Sequence, residues 1–173
     1  MKPEAAPPVG SPIGSEPRFI PAFLEEAARL AQKNVCSRRG GPFGAVLVQG
    51  ERLVARGANR VAARHDPTAH AEIEAIRRAA RRLRSFDLSG CVLYVSCEPC
   101  PMCIGAIYWA RIAQVFFGAP AAAAASAGFS DVRIAQELRL PPEARTIRLA
   151  RVESAACEKA LELWRLSPEK VPY

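Results

Sequence analysis

The sequence predicts an α/β fold, one domain with a mixed sheet sandwiched by helices. Three observations predict it. Short β-branched apolar runs alternate along the chain with longer segments of helical periodicity. Glycine and proline punctuate the joints between them. The chain has 173 residues and is 50% hydrophobic, enough to bury a sizeable core and too apolar for disorder.

Residues 1–17 hold five Pro and two Gly without periodicity and read as a disordered tail. The domain is expected over residues 18–166, followed by an extended tail over 167–173. A helix is expected over about Ile20–Ser37, with Phe23, Ala27, Leu30 and Ala31 on one face. Arg39-Gly40-Gly41-Pro42 ends it. Gly44–Val48 and Leu53–Arg56 read as strands of a hairpin turning at Gly50. The loop Ala58–Ala69 leads to a helix over about His70–Leu83. Thr68 is its expected N-cap, and Ile73, Ile76, Ala80 and Leu83 form its buried stripe. Arg77, Arg78, Arg81, Arg82 and Arg84 flank that stripe as a solvated face. Cys91–Ser96 is a strand, Pro101–Ala110 a short helix and Gln114–Phe117 another strand. The Ala-rich stretch 119–127 reads as a helical turn or loop. Thr146–Val152 reads as a strand and Ser154–Leu166 as a helix.

No apolar run approaches the roughly 18–20 residues of a membrane span. The N-terminal residues have no apolar stretch of the signal-peptide kind, so a cytoplasmic location is expected. The six cysteines then read as reduced thiols or metal ligands rather than three disulfides. Cys36, Cys91 and Cys157 are isolated and expected to be buried and inert. The net charge of +7 and pI of about 9.4 suit an anionic partner. The excess is nearly all arginine without interleaved aromatics, so a spread, solvated charge is preferred to a nucleic-acid surface.

Two segments carry chemistry: Thr68-Ala69-His70-Ala71-Glu72, and Cys97-Glu98-Pro99-Cys100-Pro101-Met102-Cys103. Each follows a loop or strand and opens a helix. Zinc takes imidazole and thiolate, and two cysteines three apart can grip one ion. Cys100 would be the N-cap, Pro101 the first helical residue and Cys103 one turn on; a helix N-terminus lowers thiol pKa. His70 supplies a third ligand. Three protein ligands leave a position for water, whose pKa zinc lowers toward neutrality. Glu72 is then the proton carrier, and H-x-E…P-C-x-x-C is the zinc-deaminase signature. Two other readings stay open. A redox pair would leave His70 and Glu72 without a role. A closed structural site would need Cys97 as fourth ligand, although a thiol at a strand end is commonly plain core. His65, in a polar loop, is expected to be exposed.

These segments, with Pro42-Phe43-Gly44-Ala45 and Asp66-Pro67, resemble the cytidine deaminase superfamily over about residues 18–173. Within it the chain is similar to the branch of guanine, cytosine and tRNA adenosine deaminases. Gly105–Arg111, Ala127–Asp131, Glu143–Ile147, Trp164-Arg165 and Tyr173 resemble the bacterial guanine deaminase group. The resemblance implies five strands with helices on both faces, and zinc held by His70, Cys100 and Cys103. It implies a proton shuttle at Glu72 and a second acid, Asp131, near the amino group. Asp131 is taken as the functional member of Ser130-Asp131, where the family commonly carries two consecutive Asp. The resemblance also places Asn59, Phe43 and Trp109 around a purine base. A homodimer is implied, with the C-terminal segment exchanged and Tyr173 near the partner's pocket.

From the residues alone, Asn59 could close a turn, Trp109 could be core, Asp131 could cap a helix, and the tail could be a frayed end. The expected reaction is hydrolysis of guanine to xanthine and ammonia. The rivals are deamination of tRNA adenosine, cytosine, guanosine or a triazine-like ring. A non-catalytic zinc-stabilised binding protein is a further class, and it has no use for Glu72.

Overall fold

A computed structural model describes residues 17–172. The chain divides into two compact units, residues 1–135 and 136–173. The first contains α1 (Pro21–Cys36), β1 (Gly44–Gln49), β2 (Arg52–Ala58), α2 (Val61–Arg64), α3 (Ala71–Leu83), β3 (Cys91–Cys97), α4 (Pro101–Trp109), β4 (Gln114–Ala119) and α5 (Ala121–Ser126). The next helix, α6 (Asp131–Arg139), begins in the first unit and ends in the second.

The strands form one mixed sheet in the order β2-β1-β3-β4. β1 pairs antiparallel with both β2 and β3, and β3 pairs parallel with β4. Val46, Val48, Val92 and Tyr94 pack with Ala27, Phe23 and Leu30 of α1. Ala45, Leu47, Leu93 and Val95 pack with Ala71, Ala75 and Ala79 of α3 and Ile107 of α4. Helices therefore cover both faces. That is why β1 and β3 read as unbroken apolar runs rather than alternating ones.

Two close approaches fix the layers. A Cβ on Gly44 would lie 2.2 Å from the Ala27 carbonyl oxygen of α1. A Cβ on Gly57 would lie 1.9 Å from the Ala71 carbonyl oxygen of α3. Both helices rest directly on bare backbone.

The second unit holds the end of α6, a 3₁₀ turn (Pro142–Ala144) and α7 (Ala155–Leu166). Ser154 Oγ caps α7 by accepting from Cys157 N at 3.3 Å. Glu137 accepts from both the amide and hydroxyl of Thr146 at 2.8 Å. None of its described residues is buried.

Several expectations are corrected. The sheet has four strands, not five: Thr146–Val152 has the alternation of a strand but forms none. A strand needs a neighbour for its backbone groups, and Ile147, Leu149 and Val152 stand 77%, 70% and 83% exposed. Cys36 and Cys157 are exposed: Cys36 ends α1 away from its buried Ala27, Ala31 and Asn34, and α7, which carries Cys157, has no buried residue; Cys91 is buried as expected. Thr68 does not cap α3. Its amide and hydroxyl both bond Asp66 Oδ1, at 2.8 and 2.6 Å, and the cap position falls to His70. On α3 the deepest contacts come from Ala75 and Ala79, while Ile76 and Leu83 pack at the core's edge. Small residues let the helix lie close on the sheet. Among the described residues no helix is long and apolar enough to cross a membrane.

Candidate metal and base site

The site is built where α3 and α4 begin. Asp66 closes a tight turn through Thr68, and the Ala69 amide donates to the Asp66 carbonyl at 3.1 Å. His70 follows in extended conformation (φ −69°, ψ 160°), with no side-chain cap bond, so its ring turns away from its own helix. Cys100 holds the matching place on α4 (φ −67°, ψ 166°), with Pro101 opening the helix as the spacing predicts.

His70 Nδ1 lies 3.6 Å from Cys100 Sγ and 3.6 Å from Cys103 Sγ. The three donor atoms all lie within 4.8 Å of one another, and both cysteines are buried. Tetrahedral zinc with usual Zn–S and Zn–N bonds separates such donors by about 3.5 Å. The residues therefore fit zinc. Electrostatics agree. The Cys100 thiol is held down to about 4 by its hydrogen bond to Cys103, then by His70 and the Cys103 amide. The same contact with Cys100, together with burial, pushes the Cys103 thiol far up. Without a cation only one of these adjacent buried thiols ionises; a cation between them would let both serve as thiolates. Cys97 stands apart: it is buried, burial raises its thiol, and its Sγ faces the Pro120 carbonyl at 3.8 Å. It behaves as core, not as a fourth ligand.

Glu72, 7% exposed in the first turn of α3, has its carboxyl pushed up to about 7 by burial. Such a group can both accept and release a proton near neutrality. Asp131, half-buried at the start of α6, is also raised, first by burial and then by the charge at Cys100.

A cavity of about 310 Å³ joins these groups, and Phe43, Asn59, Glu98 and Phe129 also line it. This is the lower end of the roughly 300–1,000 Å³ of small-molecule sites. The Phe43 and Phe129 rings meet edge to face with centroids 4.7 Å apart. Asn59 Oδ1 accepts from the Gly41 and Val61 amides at 3.4 and 3.3 Å. Those donors fix the amide's orientation and leave its NH₂ for a ligand.

The structure thus brings together His70, Glu72, Cys100, Cys103, Asn59, Phe43 and Asp131. It does not bring Trp109 to the cavity. Trp109 ends α4 and is 66% exposed; nine helical steps from Cys100 place it about 13 Å along the axis. Tyr173 lies outside the described residues. His65 is exposed and is not among the donors.

Sequence reasoning gave no role to Phe129, Glu98 or Asn34. Phe129 lies two residues before Asp131 in a stretch without periodicity to mark it. Glu98 Oε2 accepts from the Ala121 amide at 2.9 Å, a tie to α5 that only the fold reveals. Asn34 is 25 residues from the loop it holds.

Three metal donors beside a buried carboxyl raised to about 7 suit a hydrolytic metal centre, and known proteins place it more narrowly. Residues 18–119 match the cytidine and deoxycytidylate deaminase zinc-binding region, and the chain belongs to that family. It is 46% identical over 151 residues to guanine deaminase of Bacillus subtilis, spanning 87% of this chain and 97% of that protein. The solved structure of the Bacillus subtilis guanine deaminase superposes with a TM-score of 0.85 at 44% identity, over 90% of this chain and all of that one. Guanine deaminase from Nitrosomonas europaea superposes at 0.61 with 32% identity, over 72% of this chain and 76% of that one. The tRNA-specific adenosine deaminase of Aquifex aeolicus matches at 42% over 101 residues, 58% of this chain and 64% of that protein.

Proposed function

We propose that this chain is a guanine deaminase, hydrolysing guanine to xanthine and ammonia. The observation that carries the reading is extent. Similarity to the Bacillus subtilis guanine deaminase spans 87% of the chain, against 58% for the Aquifex tRNA deaminase.

His70, Cys100 and Cys103 would hold zinc, which would supply an acidified water to the cavity. Asn59 offers an amide donor to an acceptor on the purine edge. Phe43 and Phe129 enclose the ring and exclude bulk water. Glu72 takes the proton of the attacking water and passes it to the ring nitrogen beside C2. Attack at C2 and departure of the amine then release ammonia, protonated through Glu72. Asp131 accepts hydrogen bonds from the amino group, which adenine lacks at that carbon.

The test is ammonia release from guanine, adenine, cytosine, guanosine and a tRNA bearing an anticodon adenosine. Guanine is expected to be fastest; faster turnover of cytosine or the tRNA overturns the substrate assignment. Strong loss of tRNA affinity with salt would accompany the latter outcome.

The enzyme is further proposed to be a cytoplasmic homodimer that exchanges its C-terminal segment, with Tyr173 closing the partner's pocket. Exposed Leu161, Leu163 and Leu166 on α7, and exposed Tyr108 and Trp109 on α4, support a subunit contact. Six free thiols support a reducing compartment. Light scattering should give twice the chain mass. Deleting residues 168–173 should keep zinc and lower kcat/KM for guanine; unchanged turnover removes the lid role.

A further inference from the structure

Two loops meet in the cavity wall: residues 37–43, which contribute Gly41 and Phe43, and residues 59–60, which contribute Asn59 ahead of α2. One side chain joins them. Asn34, in the last turn of α1, is 3% exposed. Its Nδ2 donates both hydrogens across the joint, to Gly41 O at 2.9 Å and Asn59 O at 2.8 Å. Its Oδ1 accepts from Arg60 Nη1 at 2.9 Å. The Gly41 amide returns a bond to Asn59 Oδ1, and the Asn59 amide bonds the Phe43 carbonyl at 3.1 Å. The packing leaves no slack: a Cβ on Gly40 would lie 2.4 Å from the Asn59 carbonyl oxygen and 2.9 Å from Asn34 Nδ2.

We propose that Asn34 is a positioning residue for substrate: its amide bridges the two loops and aims the Asn59 NH₂ at the base. It touches neither substrate nor metal donors. Its effect is to hold the acceptor oxygen of Asn59 against Gly41 and Val61, so that a donor and not an acceptor faces the purine. The inference rests on the proposed base site. The assay therefore uses whichever base the wild type turns over fastest. A wrong substrate assignment then changes the base and not the comparison.

Asn34→Asp is the sharp variant. The carboxylate keeps the size and the Arg60 contact, but turns lone pairs toward two carbonyl oxygens. We expect KM for the base to rise about 10- to 100-fold, the effect of misplacing one buried hydrogen-bond donor, with kcat within about threefold. Zinc content should match the wild type. Asn34→Ser, which keeps one donor and leaves room for water, should shift KM the same way by less. In a Glu72→Gln background, calorimetric Kd for the base should weaken in parallel with KM. The proposal fails if folded, zinc-loaded Asn34→Asp keeps KM within twofold, or if kcat falls with KM unchanged. If Asn34→Asp does not fold, Asn34→Ser decides by the same measures. Failure of both to fold assigns Asn34 to the fold itself and overturns the proposal.

Discussion

The two halves of the cavity are built on different principles. The metal half stands on helix starts: His70 and Cys100 occupy equivalent extended positions ahead of α3 and α4. Each ligand is fixed by a few neighbouring residues, and regular backbone carries the rest. The base half stands on loops, and its members come from distant parts of the chain. Phe43 meets Phe129, and Asn59 is held from Asn34 and Gly41. Local geometry can make a metal site, because the metal's demands are short-range and uniform. Shaping a wall to one heterocycle takes contacts that only tertiary structure supplies.

Mutations can break this contrast, beginning with the metal half. Cys100→Ala or His70→Ala should remove zinc as read by metal analysis, and turnover should drop below detection. Retained zinc with retained activity would sink the ligand assignment. Glu72→Gln comes next. Zinc stays, since Glu72 is not a ligand, while turnover falls about 10²–10⁴-fold. A near wild-type rate would refute its role as proton carrier.

The base half should respond more gently, and its aromatic wall in a different parameter. Asp131→Asn should lower guanine turnover well beyond its effect on Tm, measured side by side. Phe129→Ala should raise KM about tenfold with zinc unchanged, because it strips the edge-to-face partner of Phe43. A metal loss in Phe129→Ala would show that the halves are not separable. The smallest effect belongs to Cys97→Ser, expected to keep both zinc and activity within about twofold, because its sulfur faces the Pro120 carbonyl.

The same contrast governs what could be read from the residues. The metal half was legible because His70, Glu72, Cys100 and Cys103 lie in two short runs whose spacing states their geometry. The order of strands and helices through Phe117 was legible as well, since apolar runs and Gly/Pro breaks coincide there, except that the single turn of α2 (Val61–Arg64) lies within the stretch Ala58–Ala69 read as a loop. Asn34 and Phe129 were silent, because a buried amide or an aromatic in a loop carries no periodic mark. The Thr146–Val152 strand failed for a related reason. Alternation predicts how a strand would face, but not whether a neighbour exists to pair with it. Thr68 failed because an aspartate two residues upstream competes for its hydroxyl. Trp109 was placed by resemblance at the cavity; within one chain it ends α4 and is not among the residues that line the cavity.

Gly57 gives the sheet a mechanical grip on the metal. It pairs with Ala45, one step from the end of the β1–β2 ladder that leads into Asn59, and lies beneath the opening residue of α3. A single methyl group there could not be absorbed by a side chain, since what it meets is the Ala71 carbonyl. The helix start would have to lift by more than about 1 Å, an ordinary van der Waals clearance. His70 and Glu72 flank that residue in sequence, so both would ride upward together while Cys100 and Cys103 stayed behind. A substitution on a strand, carrying no chemistry of its own, would thereby pull the imidazole away from the two cysteine sulfurs.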